Sequence, residues 1–193
     1  MACDGSLEGA APAGAIDPIR TLIDRHQLRP HPEGGWYREM HRSALPVRRG
    51  DGEERRALTL ILFLLEGGGV SRWHRVEAAD ETWQFIAGDP LELHTIPAAD
   101  GPSACQRLGF SLDDAGLSPV AVVPAGWWQA ARCLGRWSLV SCCVGPGFEF
   151  ADFSLLADLP RSDRPAAAQA RSEEHTSELQ SPCNLVCRLR LEK

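Results

Sequence analysis

Lysine and asparagine are almost missing from this 193-residue chain. Each occurs once, as Lys193 and Asn184, and residues 1 to 170 contain neither. There is no basic excess either: the net charge is −6, which argues against nucleic acid and against anionic membrane surfaces as partners. No apolar run approaches the roughly 18 residues that a membrane-spanning helix needs. The longest, ALTLILFLLE, fits a buried strand better. The opening MACDGSLEGAAPAGA has acids and no basic region, so a secretory signal is not expected. Seven cysteines at irregular spacing then read as reduced thiols of a cytoplasmic protein. Only one tyrosine stands against six tryptophans.

What is present divides the chain unevenly. The last 23 residues, RSEEHTSELQSPCNLVCRLRLEK, hold both of the scarce residue types, whereas every basic side chain before them other than histidine is arginine. All-arginine usage is what a GC-rich coding sequence produces. RSEEHTSELQS resembles the conceptual translation of a common sequencing-adapter oligonucleotide, so residues 171–193 are expected to be a non-native artefact. No function is assigned to His175, Cys183 or Cys187, although a Cys-x-x-x-Cys beside a histidine invites a zinc reading. Residues 1–15, rich in Ala, Gly and Pro, are expected to be a disordered leader. A single domain is expected over 16–160, followed by an unstructured tail over 161–193.

Within the domain, Asp17-Pro18 reads as the N-cap and first position of a short helix with Ile19, Leu22 and Ile23 on its buried stripe, ending before Pro30. HPEGGWYREMHRS follows as a Gly-Gly turn and a strand. Strict alternation puts Tyr37, Glu39 and His41 on one face and Trp36, Arg38, Met40 and Arg42 on the other. RRGDGEERR reads as a solvated loop. From residue 57 the pattern is short strands with turns every 8 to 12 residues, the signature of an all-β sandwich or barrel. Cys142 and Cys143 lie inside an apolar strand pattern and read as core. Glu149 and Asp152 read as surface charges, with Phe148 and Phe150 packing inward.

His74 and Glu81, seven positions apart in SRWHRVEAADETWQFIAGDP, are typical metal ligands and typical acid–base groups. The order Gly68, His74, Val76, Glu81, Gly88 has the spacing of the first cupin motif, and Pro124, Gly126 and Gln129 in PAGWWQ match the second, with glutamine where histidine is usual. HPEGGWYRE, SRWHRVEAADETWQFIAGDPLEL, VVPAGWWQAAR and VGPGFEFADF, in this order, resemble the cupin-5 subgroup of the cupin superfamily over about residues 18 to 158. The resemblance implies a cupin jelly-roll barrel (the double-stranded β-helix) with an interior pocket, and a homodimer.

In metal-binding cupins those positions carry three histidines and a glutamate. Here they read His74, Val76, Glu81 and Gln129, so two histidines are gone. No metal cofactor is expected unless His31, His41 or His94 substitutes from another strand; a metal, if present, would use His74, Glu81 and Gln129. The acid–base reading survives that loss. Some cupins, such as the dTDP-4-dehydrorhamnose 3,5-epimerase group, use a pocket histidine as base next to a keto group. Beyond a pocket histidine the diagnostic residues of that group are not identifiable here; on the acid–base reading His74, Glu81 and Tyr37 are the catalytic candidates, and Glu39, Trp83 and Gln129 the ligand-binding ones. His31, before Pro32 and the paired glycines, suits a turn cap as well as a pocket wall. The expected function is binding of a small polar metabolite of the sugar or nucleotide-sugar class, extended by metal-independent epimerase or isomerase chemistry. The alternative is a metal-dependent cupin oxygenase or hydrolase.

Overall fold

The computed structural model describes residues 17–98 and 101–167. The leader and the segment from 171 onward lie outside the described residues. Helix α1 (Pro18–His26) begins as its sequence predicts. Asp17 stays extended and its carboxylate accepts from the Ile19 amide, with proline at the first helical position.

The strands are β1 (Arg29–Pro30), β2 (Trp36–Arg42), β3 (Pro46–Arg48), β4 (Glu54–Arg56), β5 (Thr59–Glu66), β6 (Val70–Val76) and β7 (Asp80–Gly88). They continue with β8 (Leu91–Ile96), β9 (Ala104–Leu108), β10 (Leu117–Ser118), β11 (Val120–Val123), β12 (Trp128–Cys133), β13 (Trp137–Gly145) and β14 (Phe153–Leu155). One sheet has the order β1-β2-β5-β13-β7-β11 and the other β10-β9-β8-β12-β6-β14. The expected all-β jelly roll is therefore present, but as two facing six-stranded sheets with no strand in common rather than a closed hydrogen-bonded barrel.

Period-two alternation decides what fills the space between the sheets. Along β5, Thr59 and Ile61 face a cavity, while Phe63 and Leu65 join the main core. Along β7, Glu81 faces the cavity and Trp83, 1% exposed, joins the core with Leu91, Leu93, Leu108 and Val140. One end of the sandwich is thus packed with apolar side chains and the other is left open. The outer faces are covered separately. Helix α1 lays Ile19, Leu22 and Ile23 over Leu64 and Leu139 on the first sheet. Leu156, Leu159 and Ala167 lie over Trp73, Ile96 and Trp128 on the second. Ordered chain consequently continues past residue 160, the boundary expected for the tail: Arg161–Asp163 forms a 3-10 turn, and Arg164 donates back to the Leu159 and Ala157 carbonyls.

Two sequence expectations fail. The strict alternation of β2 breaks at a bulge between Glu39 and His41, where Glu39 pairs with Ile61 but His41 with Leu60. The extra residue turns Arg42, paired with Thr59, toward the cavity in place of His41. Nor is RRGDGEERR simply a solvated loop. It is the tip of the β3–β4 hairpin, and Arg49 and Arg55 both bind Asp152, which is 8% exposed rather than a surface charge. Among the described residues no helix is long and apolar enough to cross a membrane.

Candidate active site

The open end of the sandwich is a cavity of about 240 Å³. Its inner part is polar: His31, Glu33, His74, Glu81 and the Cys142 thiol. Its mouth carries Arg29, Tyr37, Glu39 and Arg42 beside Phe148, Phe150 and Phe153.

His74, on β6, is 2% exposed, and its Nδ1 lies 2.7 Å from the Arg72 carbonyl oxygen. A carbonyl only accepts, so Nδ1 carries the proton and Nε2 is left to act as acceptor while the ring is neutral. Nε2 lies 3.2 Å from Glu33 Oε2, and the Ser71 hydroxyl donates to the other oxygen of Glu33 at 2.9 Å. Burial pushes Glu33 up to about 8, and burial holds His74 below the ordinary histidine range. At neutral pH the pair is therefore a carboxylic acid facing a neutral imidazole, with one proton between them.

Glu33 reaches this place through a tight turn. Gly34 donates to the His31 carbonyl, His31 donates to that of Gly35, and Arg72 N–H donates to the Glu33 carbonyl at 2.7 Å. Gly34 and Gly35 have φ of 110° and 68°, and a Cβ on Gly34 would collide with the Val70 carbonyl oxygen. His31 both caps this turn, its Nδ1 accepting from the Glu33 amide at 3.3 Å, and lines the cavity. Burial lowers it to about 4, with His74 as the second cause, so it too is neutral.

Glu81 is reached from the core. The indole of Trp83 donates to Gln129 Oε1 at 2.9 Å, and Gln129 Nε2 donates to Glu81 Oε2 at 2.5 Å. Because an indole N–H can only donate, this chain fixes which way the amide points. Burial raises Glu81 to about 7, opposed by His74 and reinforced by Glu33. Burial also raises the Cys142 thiol well above its ordinary value.

Of the residues singled out in the sequence, Tyr37, Glu39, His74 and Glu81 line the cavity. Trp83 and Gln129 do not. Trp83 is core, so the expected indole wall is corrected: the aromatic wall consists of Tyr37 and the three phenylalanines. Glu39 is bound by Arg42, which also holds Glu149 at 2.7 Å. Arg29 stacks over the Tyr37 ring at 5.1 Å, and the His31 ring meets that ring edge-on. His41 and His94 are outside the cavity lining. Glu33 was not singled out, although it lies within the HPEGGWYRE motif; an acid directly before two glycines, in a turn that must approach another strand, was the available signal.

The donor set does not suit a divalent ion at His74, Glu81 and Gln129. The Gln129 carbonyl oxygen is taken by the Trp83 indole, and its amide N–H groups, which cannot ligate, face Glu81. Val76, at the position of another family histidine, has no lone pair.

Comparison with known proteins agrees with this architecture. A hypothetical protein from Leishmania major is 34% identical, with a TM-score of 0.68, over 78% of this chain and 96% of its own. Protein SO0799 from Shewanella oneidensis is 36% identical, with a TM-score of 0.65, over 72% of this chain and 85% of its own. The uncharacterized protein YML079W of Saccharomyces cerevisiae is 28% identical over 155 residues, 72% of this chain and 75% of that one. Residues 20–156 match the Cupin_5 family, described as Cupin superfamily (DUF985), and the chain belongs to that family.

Proposed function

We propose that the cavity binds a small polar metabolite of the sugar class and performs metal-independent acid–base chemistry on it, of the epimerase or isomerase type. The observation that carries this reading is the His74–Glu33 pair at 3.2 Å with Glu81 as a second buried acid. Proton transfer next to a carbonyl needs a base that is neutral at working pH and an acid that still holds its proton there. His74, Glu33 and Glu81 meet both demands through burial.

In the proposed reaction, the Glu33 carboxyl turns its proton from His74 toward the substrate, which frees His74 Nε2 to take the proton from a carbon beside a keto or aldehyde group. The C–H electron pair becomes the C=C bond of an enol, and the carbonyl oxygen takes a proton from the Glu81 or Glu33 carboxyl. A second acid that delivers a proton to that carbon from the opposite face, while the enol oxygen returns its proton to the carboxylate and the two acid–base groups re-equilibrate with water, gives the epimer. Where that carbon bears a hydroxyl, His74 returning its proton to the former carbonyl carbon while the hydroxyl gives its own to the carboxylate gives the isomer. Tyr37, at the mouth, is the remaining acid candidate. A volume of about 240 Å³ is small for a ligand pocket, for which roughly 300–1,000 Å³ is usual. It suits one sugar ring against the aromatic wall, while any nucleotide portion extends past Arg29 and Arg42.

The test is proton exchange in D2O. The protein, treated with chelator, is incubated with a panel of keto sugars and sugar nucleotides, and NMR follows deuterium entering the carbon beside the carbonyl. Exchange in the wild type that is lost in His74→Ala and insensitive to chelator supports the proposal. Exchange or turnover abolished by chelator and restored by a divalent metal would establish the oxygenase or hydrolase alternative. Ligand binding by thermal shift without exchange in any variant leaves a binding protein and removes the catalytic half of the proposal.

A further inference from the structure

The outer face of the second sheet carries a group of donors that the cavity does not use. Leu91 and Leu93 of β8 point into the core, so Glu92 and His94 stand on the opposite face. His94 is paired across the strands with Cys105 of β9, and Ala130 of β12 flanks it on the other side with only a methyl group. One ligand atom from each of Glu92, His94 and Cys105 lies within 4.8 Å of the other two, and His94 Nε2 is 3.3 Å from Glu92 Oε2.

We propose that Glu92, His94 and Cys105 form a second, external site for a borderline-soft divalent transition metal, zinc being the ion that suits them best. Three observations support it. The donors are one thiolate, one imidazole and one carboxylate, a set that zinc accepts and that hard ions such as magnesium and calcium do not favour. Two of them sit on directly opposed residues of an antiparallel pair, where Cβ atoms are about 5 Å apart, close enough for both to reach one ion. The geometry is also graded in access, with His94 5% exposed and Cys105 exposed, so an ion can enter from solvent onto a ring already held in place. Arg132 Nε donates at 2.7 Å to Glu92 Oε2, the oxygen that also faces His94 Nε2, and so orients the group, as partners of ligating carboxylates do. Binding releases the Cys105 proton, so affinity rises with pH. Three protein ligands leave the fourth tetrahedral position to water.

This site is independent of the cavity, and the experiment keeps the two apart. Full-length protein without a histidine tag is stripped with chelator and titrated with cobalt(II), then with zinc, following the thiolate-to-cobalt charge-transfer band. One ion per chain is expected in the wild type and in His74→Ala. Affinity is expected to fall at least tenfold in Cys105→Ser and Glu92→Gln, with the band lost in Cys105→Ser. Cys105→Ser keeps an exposed strand position polar, and an unchanged metal-free melting temperature verifies its fold. Equal loading of wild type and Cys105→Ser would overturn the proposal, because the ion would then sit elsewhere, such as on His175, Cys183 and Cys187. So would loss of the ion in His74→Ala, or a wild type that gives no charge-transfer band.

Discussion

Glu33 Oε2 sits 3.2 Å from His74 Nε2, and both side chains are buried at the inner end of the cavity. The imidazole is committed at Nδ1 to the Arg72 carbonyl, so any proton the pair shares must lie between Nε2 and the carboxyl. A proton held at one defined place is what distinguishes this cavity from a merely polar hole.

The pair makes stability depend on pH. Glu33 is raised to about 8 in the folded protein from an ordinary 4.5, so the native state holds a proton that the unfolded chain releases. By linkage, stability is lost as pH rises from about 4.5 to about 8. Glu33→Gln keeps the shape and removes the titration. Its melting temperature is expected to gain on the wild type by several degrees between about pH 5 and about pH 8, each pKa unit being worth about 1.4 kcal/mol. Parallel melting curves for the two proteins across that range would contradict the assignment.

Gln129→Ala removes both ends of a buried relay at once. The Trp83 indole loses its acceptor and the Glu81 carboxyl its donor. A cost of about 2–4 kcal/mol in urea unfolding is expected, from the unsatisfied groups and the cavity left behind. Trp83→Phe removes the donor together with part of the volume that Trp83 fills in the core, so it should destabilise the protein as well. An unchanged denaturation midpoint in Gln129→Ala would show that the relay does not operate.

Asp152 ties the β3–β4 hairpin to the segment that supplies Phe150 and Phe153. It accepts from Arg55 Nε and Nη2 at 2.7 and 2.9 Å and from Arg49 Nη1 at 2.9 Å. Asp152→Asn keeps the size but weakens all three bonds, and a loss of about 2–3 kcal/mol is expected. The arginines, Arg55 foremost, hold the Asp152 carboxyl below its ordinary value. The wild-type advantage over Asp152→Asn is therefore complete above the ordinary aspartate value near 3.8 and disappears as pH falls below it, which acid unfolding of the two proteins measures.

Gly34→Ala is expected to destabilise the protein by more than about 2 kcal/mol, because φ is 110° and the new Cβ meets the Val70 carbonyl oxygen. The turn then withdraws Glu33 from His74. The distinguishing readout is the NMR titration of the His74 ring, which should move toward the ordinary histidine range in Gly34→Ala. A ring signal that titrates as in the wild type would show that the turn does not position the pair.

Local rules were enough for the architecture. The Asp17-Pro18 cap, the apolar run that became β5, and the spacing from Gly68 to Gly88 depend on neighbours within a few residues and appear as read. His74 and Glu81 were legible for the same reason, since their spacing is fixed by two consecutive strands, one in each sheet, and the short turn between them. What failed were inferences needing a partner distant in sequence. Alternation promised His41 to the cavity, but a single bulged residue exchanged it for Arg42. Trp83 shares a face with Glu81, yet two residues along the strand separate open cavity from packed core. Asp152 reads as a surface charge until two arginines about a hundred positions away bury it.

The sequence by itself determined the strand-rich family fold and two of the cavity's polar groups, because period-two burial and glycine turns are short-range constraints. Only the tertiary structure decided that Glu33 opposes His74, that Gln129 faces Glu81 with its donor side, and that Glu92, His94 and Cys105 converge outside the cavity. Those relationships depend on strand register and on which end of the sandwich is packed, and both are settled when the two sheets close on one another.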